Sequence, residues 1–158
     1  MPIKVGDKLP DVTLYEGNPG NGVKLHSVFA GKKGVLLAVP GAFTPGCSKT
    51  HVPGYLENFD KFKGAGADVI ACIATNDPFV MGAWAQAQNT GDKIRMLSDM
   101  NGEAVKQMDV GFDAMGCLRY RRFSMVIQDN VVKALNLQDA GEMTCSLADP
   151  TLEQVAKL

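Results

Sequence analysis

The segment 39–51 concentrates side chains that are suited to nucleophilic chemistry. It reads Val-Pro-Gly-Ala-Phe-Thr-Pro-Gly-Cys-Ser-Lys-Thr-His, so Cys47 follows the hydroxyl of Thr44 and precedes polar and basic side chains. A continuously apolar run, 34–39, precedes the segment and helical spacing follows it, which predicts that Cys47 lies in the first turn of a helix. Unpaired N–H groups and partial positive charge at a helix N-terminus favour the thiolate, the nucleophilic form of cysteine. These surroundings favour a reactive thiol over a packed apolar side chain.

Two other kinds of site at this segment are disfavoured. The glycine and hydroxyl spacing of residues 41–48 matches a phosphate-binding loop, but Cys47 replaces the required lysine and Pro45 removes one backbone donor. A zinc site could use Cys47 and His51, yet no second pair of ligands follows at a short spacing, and the other histidine is His26. The sequence therefore predicts neither a metal nor a phosphate here, although the N–H groups could bind an oxygen that develops negative charge.

The other cysteines are Cys72, Cys117 and Cys145, and none forms a Cys-x-x-Cys pair. This spacing does not fit a small secreted disulfide scaffold, and it indicates mostly free thiols in a reducing compartment. Cys72 lies within an apolar run, so we expect it to pack in the core. A glutaredoxin-like centre would require Cys or Ser three residues after Cys47, where the chain has Thr50.

Composition limits the class of partner. The 158 residues carry a formal net charge of −1, with 46% hydrophobic and 21% charged residues, which predicts a single domain, residues 1–158, that binds neither nucleic acid nor membrane. No apolar run is long enough to cross a bilayer, and the N-terminus shows no secretory signal. The last residues, Ala156-Lys157-Leu158, approximate the Ser-Lys-Leu peroxisomal address or are simply the end of a helix. An intracellular location in cytoplasm, mitochondrion or peroxisome is expected.

Hydrophobic periodicity predicts alternating strands and helices. Strands are predicted in a hairpin of 12–15 with 23–25, in the runs 34–39, 68–74 and 94–97, and in a hairpin of 121–128 with 131–137. A helix is predicted after Cys47, with a kink or an interruption at Pro53-Gly54 and an end near 64–66. Further helices are predicted at 77–89, at 101–108, and from Asp149 to the C-terminus. This order predicts an α/β protein with a mixed central sheet, helices on both faces and an N-terminal hairpin extension, which is the layout of a thioredoxin-like fold.

The segment 40–47 also carries a family motif. Pro40-Gly-Ala-Phe-Thr44-Pro-Gly-Cys47 resembles the Pro-x-x-x-Thr-x-x-Cys motif of the peroxiredoxins. With the opening Pro-Ile-Lys-Val-Gly-Asp and the stretches that begin at Arg122 and Thr144, nearly the whole chain is similar to the peroxiredoxin 5 subfamily. The resemblance implies a thiol-dependent peroxidase with no metal or organic cofactor. Its implied substrates are hydrogen peroxide, alkyl hydroperoxides and peroxynitrite.

The resemblance implies a role for each matched residue. Cys47 corresponds to the peroxidatic cysteine, whose thiolate attacks a peroxide oxygen and becomes a sulfenic acid. Thr44 orients the thiolate and the peroxide, and Pro40 shields the sulfur from water. Arg122 favours the thiolate and stabilises charge as the O–O bond breaks. Alternation along 121–127 allows Arg122 to face the site while its apolar neighbours face the core, although the residues alone fit a solvated arginine equally well.

Cys145 resembles the resolving cysteine of the animal peroxiredoxin 5 proteins. The resemblance implies an intramolecular Cys47–Cys145 disulfide, formed after local unfolding around both residues and reduced by thioredoxin. Cys117 and an external thiol are alternative resolving groups, and Cys117 could also join two subunits. A homodimer through faces near the active site is implied as well. The residues alone also fit a redox binding protein that forms mixed disulfides; Thr44 and Arg122 distinguish the two, because only peroxide chemistry needs both beside the thiol.

Overall fold

The computed structural model describes residues 2–138, Thr144 and residues 146–158. Its strands are β1 (Thr13–Tyr15), β2 (Gly22–Lys24), β3 (Lys33–Ala38), β4 (Val69–Ala74), β5 (Arg95–Ser98), β6 (Gly111–Ala114), β7 (Cys117–Tyr120), β8 (Phe123–Gln128) and β9 (Val131–Leu137). Its helices are α1 (Leu25–Phe29), α2 (Val52–Glu57), α3 (Phe59–Gly64), α4 (Pro78–Gln88), α5 (Glu103–Met108) and α6 (Ala148–Ala156). A π-helical turn, Cys47–His51, leads directly into α2.

A mixed sheet of seven strands, in the order β2-β1-β5-β4-β3-β8-β9, positions the bend that follows β3. β3 and β4 are parallel, whereas β8 runs antiparallel to β3. Ala38 at the end of β3 pairs with Ile73 of β4 and with Phe123 at the start of β8. The carboxyl ends of β3 and β4 and the amino end of β8 therefore meet at one edge of the sheet. This edge brings Arg122 next to the bend, although they are far apart in sequence.

The central strands are buried on both faces because helices cover the sheet from both sides. Along β3, Leu36 belongs to one core cluster while Val35 and Leu37 belong to the other. Buried residues of α1 and α5 complete the first cluster, and those of α2, α3, α4 and α6 complete the second. These observations confirm the predicted mixed sheet with helices on both faces. The assignment of residues 1–158 to a single domain stays a prediction.

Several element boundaries differ from the sequence prediction. Leu25 opens the short helix α1, where alternation predicts the end of a strand. Pro53-Gly54 does not end the helix: the π-helical turn continues into α2, π-helical hydrogen bonding gives way to α-helical just before Pro53, and the helix breaks at Asn58. The hairpin of β6 with β7 is not predicted at all. Within the described residues, no helix is both long and apolar enough to span a bilayer.

Candidate active site

The bend after β3 is held by side chains from neighbouring segments. Ala42 donates its backbone N–H to Asn76 Oδ1 at 2.8 Å. Asn76 lies two residues after the end of β4. Arg119 of β7 donates from Nη1 to the carbonyl oxygen of Pro40 at 2.8 Å. Between these two anchors Phe43 adopts a left-handed conformation with φ of 64° while its side chain is exposed. A non-glycine residue in this region carries backbone strain, which the surrounding hydrogen bonds hold in place.

Cys47 and Arg122 are in contact at the centre of the site. Arg122 Nη2 lies 3.4 Å from Cys47 Sγ, and both side chains are buried. Cys47 begins the π-helical turn, and the next residue, Ser48, accepts a hydrogen bond from Trp84 Nε1 at 3.0 Å. A cation in contact with the sulfur at the start of a helix is the kind of surrounding that stabilises a thiolate.

His51 connects Arg122 to the chain near the C-terminus. Arg122 Nη1 lies 2.8 Å from His51 Nδ1, and His51 Nε2 lies 3.1 Å from the carbonyl oxygen of Ser146. Because arginine has no acceptor, Nδ1 must accept, and the ring proton on Nε2 is donated to Ser146. Burial, and then the charge of Arg122, lower the pKa of His51 from 6.5 to about 3. The ring is therefore neutral at physiological pH, with its tautomer fixed by its two partners.

The residues on either side of Cys145 are anchored by hydrogen bonds, while Cys145 itself lies outside the described residues. Gln138 donates from Nε2 to Thr144 Oγ1 at 2.7 Å. Gln138 Oε1 accepts from the backbone N–H of Ser146 at 3.0 Å. The Tyr55 hydroxyl donates to the carbonyl oxygen of Ser146 at 2.6 Å, so this oxygen has a second donor besides the imidazole.

Comparison with known proteins assigns this geometry to a family. The model of the Redoxin family matches residues 4–155. Peroxiredoxin-2E, chloroplastic, of Arabidopsis thaliana is 45% identical over 161 residues, which cover 96% of this chain and 68% of that protein. Peroxiredoxin-2B of the same plant is 39% identical over a match that covers 96% of this chain and 98% of that protein. The chain belongs to the peroxiredoxins, within the Redoxin family.

Solved peroxiredoxin structures share the fold. Peroxiredoxin 5 from Alvinella pompejana superposes with a TM-score of 0.92 and 41% identity, covering 99% of this chain and 100% of that chain. Reduced Prx3 from Vibrio vulnificus in complex with hydrogen peroxide gives a TM-score of 0.90 and 39% identity. The match covers 97% of this chain and 99% of that chain. These matches confirm the thioredoxin-like fold, the resemblance to peroxiredoxin 5 and the activity of a peroxidase, an antioxidant oxidoreductase.

The structure places the four predicted residues of the first catalytic step within one neighbourhood. Cys47 and Arg122 are in contact, and Pro40 and Thr44 lie in the bend that leads to the cysteine. The Thr44 hydroxyl donates to the carbonyl oxygen of Gly41 at 2.7 Å, which fixes the hydroxyl within the bend. The orienting role of Thr44 and the shielding role of Pro40 stay predictions.

The remaining cysteines of this peroxiredoxin have different surroundings. Cys72 is buried in β4 and belongs to the same core cluster as Cys47, as its apolar flanks predict. Burial, and then the nearby Cys47, raise the pKa of the Cys72 thiol well above its usual value. Cys117 is exposed at the start of β7, with Sγ 3.8 Å from the carbonyl oxygen of Ala114. The assignment of Cys145 as the resolving residue stays a prediction.

Residues that the sequence did not assign to the site support it. Asn76 could have been predicted from the sequence, because polar residues just beyond a buried strand lie at the carboxyl edge of the sheet, next to the bend. Arg119 was visible only as one of several basic residues before β8. The sequence suggested only that Tyr55 belongs to the apolar face of a helix. Its hydrogen bond to Ser146 joins residues that are 91 positions apart. No local pattern indicates such a contact.

Proposed function

We propose that this peroxiredoxin reduces hydrogen peroxide, alkyl hydroperoxides and peroxynitrite at Cys47. The observation that carries the proposal is the buried contact of 3.4 Å between Arg122 Nη2 and Cys47 Sγ. The thiolate attacks one peroxide oxygen, the S–O bond forms as the O–O bond breaks, and the second oxygen leaves and takes up a proton. The sulfur is oxidised to a sulfenic acid and the peroxide is reduced to water, an alcohol or nitrite.

Arg122 has a donor to spare for the reacting oxygens. Its Nε is buried and has no hydrogen-bond partner among the described residues, whereas Nη1 and Nη2 are engaged. A buried donor without a partner costs about 1–3 kcal/mol, so an oxygen that approaches it gains more than it would from a satisfied donor. The guanidinium would also stabilise the charge that develops on the leaving oxygen. Thr44 would orient the peroxide and Pro40 would limit water at the sulfur.

The second step of the proposal is resolution by Cys145. The Cys145 thiol attacks the sulfenic sulfur of Cys47, an S–S bond forms, and the oxygen leaves as water. Ser146, the next residue after Cys145, accepts a hydrogen bond from His51, which itself contacts Arg122. This proximity supports Cys145 over the exposed Cys117 and over an external thiol. Thioredoxin would then reduce the disulfide.

Stopped-flow mixing with hydrogen peroxide tests the first step. The single tryptophan, Trp84, is a suitable reporter because it bonds to Ser48, the neighbour of Cys47. We expect a fast fluorescence change in the parent and none in Cys47→Ser. Cys72→Ala and Cys117→Ser are matched controls that each remove another thiol, and both should keep the fast phase. A fast reaction in Cys47→Ser would disprove the assignment.

Peptide mapping under non-reducing conditions, after an equimolar amount of peroxide, tests the second step. We expect a peptide pair that contains Cys47 and Cys145. Cys145→Ser should keep the first oxidation and lose turnover with thioredoxin. If turnover survives in that variant, Cys117 or an external thiol resolves the sulfenic acid instead, and a Cys47–Cys117 peptide pair or a mixed disulfide would identify which one.

Dimerisation and location are further parts of the proposal. We expect a homodimer formed through the end of the molecule that carries the bend. The C-terminal Ala156-Lys157-Leu158 is exposed, which supports recognition by a receptor if it acts as a peroxisomal address. Cytoplasm and mitochondrion are the alternative locations. A fluorescent fusion with and without these three residues distinguishes the peroxisome from the other two.

A further inference from the structure

A cavity of about 240 Å³ lies between β7, α5 and the loops that follow β4 and β5. We call it the β7 cavity and define it by Asn76, Lys106, Cys117 and Arg119, which all contribute to its lining. Its volume is smaller than that of most sites for drug-sized molecules, which suits a ligand of a few heavy atoms. The peroxidase reaction at Cys47 uses neither Lys106 nor Cys117, so the cavity has no assigned role in that reaction.

The charged side chains that line the β7 cavity are both cations. Lys106 and Arg119 form no ion pair with any carboxylate of the described residues, and the lining contains no aspartate or glutamate. Asp99, in the loop after β5, is buried and accepts backbone N–H groups of α5 instead. A second cavity, at the amino ends of β4 and β5, is lined by lysines but also by Asp68 and Asp92, which balance much of their charge. The β7 cavity therefore carries positive charge that its own lining does not compensate.

Asn76 and Arg119 also have N–H donors that remain available for a ligand. Asn76 Oδ1 accepts from the backbone N–H of Ala42 at 2.8 Å, and the described residues provide no acceptor for its Nδ2. Arg119 donates from Nε to the carbonyl oxygen of Ala114 at 3.2 Å and from Nη1 to that of Pro40 at 2.8 Å, but its Nη2 has no acceptor in the same residues. Because these two bonds fix the guanidinium, Nη2 is preorganised for an incoming acceptor.

Lys106 lies along the wall of the β7 cavity. Its Nζ is 3.9 Å and its Cε 3.7 Å from the position that a Cβ of Gly102 would take, and Leu118 Cδ2 is 3.6 Å from the same position. The absence of a side chain at Gly102 therefore leaves room for the lysine to fold back towards the start of α5. Its apolar stem packs beside Leu118, while its ammonium group adds a second cation to the lining.

The exposed thiol of Cys117 lies beside Arg119. Cys117 Sγ is 3.8 Å from the carbonyl oxygen of Ala114, the same oxygen that accepts a hydrogen bond from Arg119 Nε. A ligand held by Arg119 would therefore lie near the thiol, which makes Cys117 a chemical reporter for the β7 cavity.

We propose that the β7 cavity binds the carboxylate of a small organic anion through Lys106 and Arg119. The carboxylate accepts from Arg119 Nη2 and Lys106 Nζ, with Asn76 Nδ2 as a third donor, and charge-assisted hydrogen bonds of this kind are the stronger ones. An anion that also carries a disulfide is placed against Cys117. The Cys117 thiolate attacks one sulfur of that disulfide, the disulfide bond breaks, and the other half leaves as a thiolate, so a mixed disulfide forms without a further oxidant. Neither step requires Cys47.

Titration with succinate, followed by amide NMR, tests binding without the thiol. We expect saturable shifts of the Asn76 side-chain amide and of the backbone amides of Lys106 and Leu118, and the same shifts in Cys117→Ser. Lys106→Gln should weaken binding by roughly three- to fivefold, the effect of losing one partly exposed ion pair. Lys133→Gln is the matched control, because it removes the same charge from an exposed position of the edge strand β9. Binding that is absent, or that is equally tight in Lys106→Gln and the parent, would overturn the proposal.

Disulfide exchange at Cys117 tests the preference for anions independently. The double variant Cys47→Ser, Cys145→Ser retains Cys117 and the fully buried Cys72, and mass mapping of peptides identifies which thiol has reacted. Dithiodipropionate, hydroxyethyl disulfide and cystamine are similar in size but are anionic, neutral and cationic, respectively. We expect the anionic reagent to react with Cys117 about tenfold faster than the neutral one, and the cationic reagent to react most slowly, because positive potential in a cavity concentrates anions.

The same exchange reaction shows whether the preference arises in the β7 cavity. Lys106→Gln in the double variant should reduce the advantage of the anionic reagent to about threefold, whereas Lys133→Gln should preserve it. High salt should also reduce it, because salt screens exposed charges. Equal rates for the three reagents, or an advantage that persists in full in Lys106→Gln, would disprove the site. Either result leaves the peroxidase assignment intact, since the tested protein lacks the thiol of Cys47.

Discussion

Arg122 contacts two partners with two different nitrogens, Cys47 through Nη2 and His51 through Nη1. Lysine has one compact ammonium group and cannot reproduce this planar fork. We expect Arg122→Lys to slow oxidation of Cys47 by roughly 100-fold, the usual effect of losing a preorganised donor at a developing charge. Stopped-flow fluorescence measures the rate. Arg119→Lys is the control, because Arg119 bonds to the backbone of the bend and not to the sulfur. An equal loss in both variants would contradict the role assigned to Arg122.

His51 makes the folded protein sensitive to acid. Its pKa is about 3 in the folded state and 6.5 in the absence of interactions, so between these values the unfolded chain binds the proton more readily. The contribution of His51 to the free energy of unfolding is therefore fully present above about pH 6.5, and it is lost as the pH falls towards about 3. Urea unfolding at several pH values should show a shallower decline in His51→Gln than in the parent. Parallel curves for the two proteins would refute this contribution.

The sequence predicts part of the site for reasons that are local. The bend, the thiol at a helix start and the family motif all lie within the segment 39–51, so spacing alone brings them together. The contact between Arg122 and His51 spans 71 residues and depends on how β8 pairs with β3. The bonds to Ser146 depend in addition on the packing of α6. Such contacts arise from tertiary packing and leave no periodic signal.

At the scale of elements, the central strands were the most predictable. β3 and β4 are parallel and covered on both faces, so their sequences are continuous apolar runs. The hairpin of β6 and β7 was missed because its turn, Met115-Gly116, places a methionine at a φ of 51°, where glycine or asparagine is the usual signal. α1 was missed because five residues are too few to establish helical periodicity.

Gly34 sets the spacing between β3 and β4. A Cβ at this position would lie 2.5 Å from the carbonyl oxygen of Val69 and 2.9 Å from the ring of Phe29. The Val69 oxygen belongs to the paired strand, so relief requires the strands to separate. We expect Gly34→Ala to lower the free energy of unfolding by about 3 kcal/mol, as overpacked cores do. Urea denaturation measures the change.

Gly64, the last residue of α3, provides the control for that substitution. A Cβ there meets no atom within 4 Å, so Gly64→Ala should raise the free energy of unfolding by about 0.5–1 kcal/mol through helix propensity and a less flexible unfolded chain. If Gly34→Ala proved as stable as Gly64→Ala, the close approach of β3 and β4 would not limit this position.

At the scale of the whole molecule, large apolar side chains are exposed around the bend. Phe43 is 55% exposed, Phe79 in the first turn of α4 is 65% exposed, and Met115 between β6 and β7 is 76% exposed. The strands before Phe43 and Phe79 are the parallel β3 and β4, so both residues lie at the carboxyl edge of the sheet. Arg119 ties the hairpin of Met115 to the same bend. Exposed apolar side chains at one end of a molecule indicate an interaction surface.

These three side chains provide the test of the proposed homodimer. We expect the parent to sediment as a dimer and Phe79→Glu or Met115→Glu as a monomer, because each carboxylate would be buried without a partner in the interface. Val5→Glu is the control, because Val5 is also an exposed apolar residue, at 57%, but it lies beside the edge strand β9 and not in the bend. The next residue, Gly6, donates its backbone N–H to the carbonyl oxygen of Val132 in β9. The control should stay dimeric. A dimer that survives both substitutions would place the contact between subunits elsewhere. A monomeric parent would rule out the homodimer.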